Sequence, residues 1–112
     1  MKKHLSEPWF SLVKLGLKTI EGRLDKGSFS NLKRDDIIVF YNDDFGHREC
    51  IVRILKVNRY DTFENYLKTE SLKRTLPGFT RINDGLNVYY KYFSKEDESK
   101  YKIVAVHMAL IS

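Results

Sequence analysis

Lys14-Leu15-Gly16-Leu17-Lys18-Thr19-Ile20-Glu21-Gly22-Arg23 is the stretch from which the fold of this chain is read. Its first residues close an apolar-periodic segment that predicts a helix over about 7–15, with Trp9, Leu12, Val13 and Leu17 at helical spacing, Ser6 as N-cap and Pro8 in the first turn. Gly16 is the stop that such a helix needs. A short strand over 18–24 comes next, and because side chains on a strand alternate, Thr19, Glu21 and Arg23 share one face, with successive members roughly 7 Å apart. Lys18 stands at the strand's mouth. An unpaired charge is costly to bury, so Lys18, Glu21 and Arg23 point either to a wet cleft or to a solvated edge strand.

Beyond this strand, Asp25 to Asn31 reads as a polar turn in which Phe29 either folds back over the core or stacks on a base. Asp36 to Asn42 is a buried-type strand, and His47 to Asn58 is its hairpin partner, alternating with period two. Cys50 falls in that alternation as a small buried hydrophobe. Asp61 is the expected cap of a second helix, with Glu64 completing a capping box, and Leu76-Pro77-Gly78 must break that helix. Lys68, Lys73, Arg74 and Arg81 make this segment locally basic, either a solvated helix face or a rim for phosphates. Asp84 is the expected cap of a third helix over about 85–93, where Tyr89, Tyr90, Tyr92 and Phe93 pack in the core or wall a pocket, Tyr90 being the expected exposed ring. Tyr101 to Ile111 is the last strand.

The chain has 112 residues, room for one domain spanning 1–112. A net charge of +5 and seven Tyr and seven Phe suit anionic partners and stacking, yet dense basic runs are absent. One cysteine cannot form an internal disulfide, which predicts a reducing, cytoplasmic setting. His4, His47 and His107 lack ligand spacing, so neither a metal nor another cofactor is expected. No apolar run is long enough to span a membrane. No nucleophile elbow, phosphate-cradling glycine loop or H-E-x-x-H is present, which disfavours ordinary nucleophilic or metal hydrolysis.

Gly16-Leu17-Lys18-Thr19-Ile20-Glu21-Gly22-Arg23 resembles the G-x-K-T-x-E-x-R signature of ASCH domains, small barrels of the PUA-like superfold. Glu7-Pro8-Trp9-Phe10 is similar to that family's first helix. Leu32 to Phe40 resembles its L-K-x-G-D-x-I-x-F segment, with Asp35 where glycine is usual. Arg59 to Phe63, Glu70, Leu76-Pro77-Gly78 and the closing strand come in the family's order. The resemblance implies an α+β fold, a PUA-like small mixed β-barrel of five to six strands with about three helices, two of them inserted before the final strand.

It also implies a ligand, RNA or a modified nucleoside or nucleotide, held by a monomer in a cleft between the first helix and the barrel. Trp9, Lys18, Thr19, Glu21, Arg23 and Arg59 are the expected binding residues. In the binding role, Lys18 and Arg23 contact phosphate or carbonyl oxygens and Glu21 reads a base edge. An alternative that the family offers is a hydrolase, either an N4-acetylcytidine amidohydrolase or a small ribonuclease, with Lys18, Glu21 and Glu70 as catalytic candidates. In that reading Lys18 and Arg23 match the motif and Glu70 stands for the glutamate. The threonine nucleophile falls on Glu21, while Thr19 matches a different position.

Overall fold

Ile103-Val104-Ala105-Val106 is buried at every position, and the sheet is built around it. The computed structural model describes residues 1–112. Its strands are β1 (Lys2–His4), β2 (Ile20–Leu24), β3 (Ile37–Asn42), β4 (Arg48–Tyr60) and β5 (Ile103–Leu110), arranged as one five-stranded sheet in the order β1-β3-β4-β5-β2. β1 lies parallel to β3, and the other pairs are antiparallel. Strand β5 is apolar at nearly every position because its neighbours leave neither face to water, whereas β4 buries only alternate residues, Cys50, Val52 and Ile54. A register shift between Ile54 and Lys56 then lets β4 bend with the curling sheet.

The sheet is a curled half-barrel. No strand ladder joins its edges, β1 and β2. A side chain bridges them instead, the Arg23 guanidinium donating from Nη2 to the His4 carbonyl at 3.2 Å. The mixed α+β architecture and its five strands are those expected, but closure rests on side chains rather than on a sixth pairing.

Five α-helices cover the sheet: α1 (Trp9–Lys14), α2 (Phe63–Glu70), α3 (Leu72–Thr75), α4 (Ile82–Tyr92) and α5 (Lys95–Tyr101). Three were expected. The difference arises because Ser71, at φ +78°, separates α2 from α3, and because the charged run 95–101 is helical. Ser94 caps that run by accepting from the Asp97 N–H at 3.0 Å, and Glu98 turns inward to accept from the Phe63 N–H at 2.7 Å.

The expected caps shift by a few residues. Thr62, not Asp61, caps α2, because its hydroxyl reaches the Asn65 N–H at 3.1 Å. Asp84 lies within the first turn of α4, and α1 begins after Pro8 rather than after Ser6. Helix α1 ends at Lys14, so Leu17, expected on its apolar face, is 57% exposed. Asp35 adopts φ +75°, a conformation that favours glycine, which accounts for the glycine usual at that position in the family pattern. Phe29, in a 3₁₀ turn over Gly27–Asn31, folds into the core, as does Cys50. Lys68, Lys73, Arg74 and Arg81 are all exposed, a solvated face.

Candidate functional site

Gly16 sets the geometry of the site. At φ +77° it permits a left-handed helix end in which the Gly16 N–H reaches the Val13 carbonyl and the Leu17 N–H the Leu12 carbonyl, each at 2.9 Å. The Lys18 N–H shares the Leu12 acceptor at 3.1 Å, and the chain reverses so that the Lys18 side chain runs inward. Thr19 continues the docking through its backbone, donating to Arg74 and accepting from Met108.

Lys18 and Glu21 are almost fully buried, with 2% and 5% of their surfaces exposed. Burial of charge is tolerated here because the partners are complete. The Lys18 ammonium donates to the Ile20 carbonyl at 2.7 Å and to the Thr75 carbonyl, and it lies 3.3 Å from Glu21 Oε1. An ammonium has three N–H donors, so all are taken. Glu21 Oε2 receives the Arg23 Nε–H at 2.7 Å. Burial pulls the Lys18 pKa below its ordinary value despite the neighbouring carboxylate. Burial acts on Glu21 in the opposite sense, but the charges of Lys18 and Arg23 and their hydrogen bonds outweigh it, and Glu21 is held below the ordinary carboxylate range. It is therefore an ionised acceptor at neutral pH, each oxygen taking one donor and keeping room for another.

These groups floor a cavity of about 360 Å³ at the gap between the sheet edges. That is the low end of the roughly 300–1,000 Å³ of small-molecule sites. Trp9 from α1 lines it, with the Lys18 ammonium 5.8 Å from its ring centre. Leu76 lines it after α3, and Tyr89, Tyr92 and Phe93 line it from the end of α4. Tyr89 is buried and bonded through its hydroxyl to Tyr66 at 2.8 Å, while Tyr92 is 56% exposed and meets the Ser6 hydroxyl at 3.1 Å.

The cavity thus gathers Trp9, Lys18, Glu21 and Arg23 from among the residues singled out in the sequence, and its lining does not include Thr19, Arg59 or Glu70. Arg59 is paired with Asp25 at 3.0 Å. Glu70 belongs to a separate cluster, accepting from Asn58, Tyr60 and His107, each at 2.9 Å. The aromatic run 89–93 was the signal for the wall, but the exposed ring is Tyr92 rather than Tyr90, which packs inward to donate to Glu98 at 2.9 Å. His4 and Ser6 also line the cavity, and nothing in their sequence neighbourhood marks them. No group of three or more His, Cys, Asp or Glu residues is placed to hold a metal ion, and no helix is long and apolar enough to cross a membrane.

The ASCH domain family matches residues 4–112. Two solved structures are similar over nearly the whole of both chains. The crystal structure of hypothetical protein PH0355 superposes with a TM-score of 0.88 at 32% identity, covering 98% of this chain and 97% of that one. The solution NMR structure of protein PF0455 from Pyrococcus furiosus does so with a TM-score of 0.80 at 32% identity, covering 99% and 96%. No curated protein matches the chain significantly.

Proposed function

Because this chain belongs to the ASCH domain family, whose fold is generally associated with RNA, we propose that its cavity binds RNA or a modified nucleoside or nucleotide. The observation that carries this reading is the buried, ionised Glu21 at the floor of a cavity walled by Trp9, Tyr89, Tyr92 and Phe93. A carboxylate with unused lone pairs accepts from the amino or imino edge of a base, and rings beside it supply stacking. Arg23 has Nε and Nη2 engaged, which leaves Nη1 for a carbonyl or phosphate oxygen. Lys18 has no spare donor, so its role is to hold Glu21 charged and oriented. Buried Cys50 suits a reducing, cytoplasmic setting, and the cavity needs only one copy of the chain.

The hydrolase reading has less support. Glu70 is not part of the cavity lining, and an ionised Glu21 paired with two cations is a poor proton donor and a weakened base.

The test is titration of labelled single-stranded RNA and a panel of nucleosides against wild type and Glu21→Gln, with thermal unfolding to confirm that the variant is folded. Loss of one edge contact should weaken binding by about tenfold or more, as expected for about 1–3 kcal/mol. Equal affinity of the two proteins, or no binding by either, would end the proposal. Chromatography of N4-acetylcytidine and a short RNA after incubation should show no turnover; product formation would restore the hydrolase.

A further inference from the structure

A second groove, about 270 Å³, adjoins the cavity and shares Arg23 and Phe93 with it. Lys3 and Lys26 also line it, and no acidic residue does. Lys3 reaches it from β1, because the strand's alternation sends its neighbours Lys2 and His4 against Tyr41 instead. Lys26 comes just after β2. Phe29, folded inward, lies under two of the cations, with Lys3 Nζ 5.7 Å and Arg23 Cζ 5.0 Å from its ring centre.

Neither Lys3 nor Lys26 takes part in an ion pair; Lys3 lies over Phe29 and Lys26 lies 4.8 Å from the ring centre of Tyr101. Asp25, the neighbour of Lys26 in the chain, turns to Arg59 at 3.0 Å. Arg23 is balanced by Glu21, but Lys3 and Lys26 bring two further positive charges to a groove lined by no acidic residue, and their repulsion is relieved when an anion enters.

We infer that this groove is a phosphate subsite for the ligand whose base occupies the cavity, so that the ligand is a nucleotide or an RNA strand rather than a free nucleoside. The inference rests on the function proposed above. Arg23 is the hinge between the two parts: Nε holds the carboxylate that reads the base, Nη2 holds the His4 carbonyl, and Nη1 is available to the phosphodiester. Lys3 and Lys26 supply compact charges to its other oxygens.

The experiment measures fluorescence anisotropy of a labelled single-stranded RNA hexamer, and competition by nucleosides and their monophosphates, over a range of salt concentrations. Wild type is compared with Lys3→Gln/Lys26→Gln and Lys3→Arg/Lys26→Arg, all surface changes, and with Glu21→Gln. The expected result is that the Gln pair weakens RNA about tenfold or more at low salt. It should also flatten the salt dependence by about 1.4 in log–log slope, from about 0.7 per phosphate contact. The Arg pair should bind as wild type, and monophosphates should compete better than nucleosides. Wild-type affinity and slope in the Gln pair, with RNA binding still lost in Glu21→Gln, would overturn the subsite and leave the cavity's function standing. Failure of wild type to bind any probe, or full binding by Glu21→Gln, would remove both.

Discussion

Of the three buried carboxylates, Glu21 on β2, Glu70 on α2 and Glu98 on α5, only Glu21 floors the cavity, and Glu70 makes the closest comparison with it. Glu21 divides its oxygens between two cations, Lys18 at 3.3 Å and Arg23 at 2.7 Å. Glu70 concentrates its bonds on one oxygen, Oε2, which accepts from Asn58, Tyr60 and His107. Both are held below the ordinary carboxylate range, and in both burial is outweighed by the donors. A perturbed carboxylate therefore does not by itself mark a site. What distinguishes Glu21 is its surroundings: an opening about 360 Å³ in volume, aromatic walls and a second cation within reach of solvent. Tyr66, fully buried, lies between the two and feels the charge of each, which further raises a phenol pKa already lifted by burial.

The largest expected effect sets a carboxylate held by two permanent cations against one held by an amide, a phenol and an imidazole. Lys18→Met keeps the side-chain bulk but strips Glu21 and the Ile20 and Thr75 carbonyls of their donor, and should cost about 3–5 kcal/mol in denaturant unfolding. Glu70→Gln leaves no unpaired charge behind and should cost only about 1–3 kcal/mol. Equal losses would show that the two clusters are held alike.

Gly22→Ala probes the structure between them. A Cβ there would stand 2.5 Å from Tyr66 Cζ, and Tyr66 is pinned by its hydroxyl to Tyr89. The expected loss is about 1–3 kcal/mol in thermal or denaturant melts, with weaker RNA binding because Tyr89 walls the cavity. A melt unchanged from wild type would mean that Tyr66 can yield.

Tyr92→Ala separates binding from stability. The ring is more than half exposed, so the melt should stay within about 0.5 kcal/mol of wild type. Loss of one stacking surface should nonetheless weaken RNA by about 1–3 kcal/mol in anisotropy titrations. Unchanged affinity would take Tyr92 out of the wall's function.

The smallest expected effect is on acid stability. Glu21 and Glu70 have folded values lowered from 4.5, so as pH drops below 4.5 the unfolded chain takes up protons first. Their contribution is present above that pH and is lost as pH falls through the folded values. Unfolding free energy of Glu70→Gln, measured from pH 6 to pH 3, should therefore fall less steeply than that of wild type. Lys18, lowered from 10.5, acts in alkali with the other outcome: stability rises as pH climbs through its folded value. An identical acid profile for the Gln variant would deny Glu70 its part in the pH response.

Much of this was legible before folding. Gly16 ended the first helix, the alternation of β3 and β4 gave a hairpin, and the polar trio announced a site. The shifts came where local signals compete. Asp61 and Thr62 are both good caps, and only the chain's direction at the end of β4 brings the Thr62 hydroxyl to Asn65. The charged run 95–101 has a local cap in Ser94, but nothing in its neighbourhood shows that Glu98 turns inward to the Phe63 N–H 35 residues away. Glu70 looked catalytic in the order of motifs. Its bonds to β4 and β5 could be known only once α2 was laid on the sheet.

Residue order alone dictated the elements that depend on near neighbours: the left-handed turn at Gly16, the period-two strands, the break at Pro77 and the excess of positive charge. Packing selected which of those charges serve a cavity. Lys18 tolerates burial because the Thr75 carbonyl, from a distant helix, completes its hydrogen bonds, Glu21 because Lys18 and Arg23 pair with it, and Lys3 joins Arg23 because the curl brings the two sheet edges close. Chain-local chemistry sets backbone conformation, but the free energy of a buried charge depends on partners that only the packed fold brings within hydrogen-bond reach.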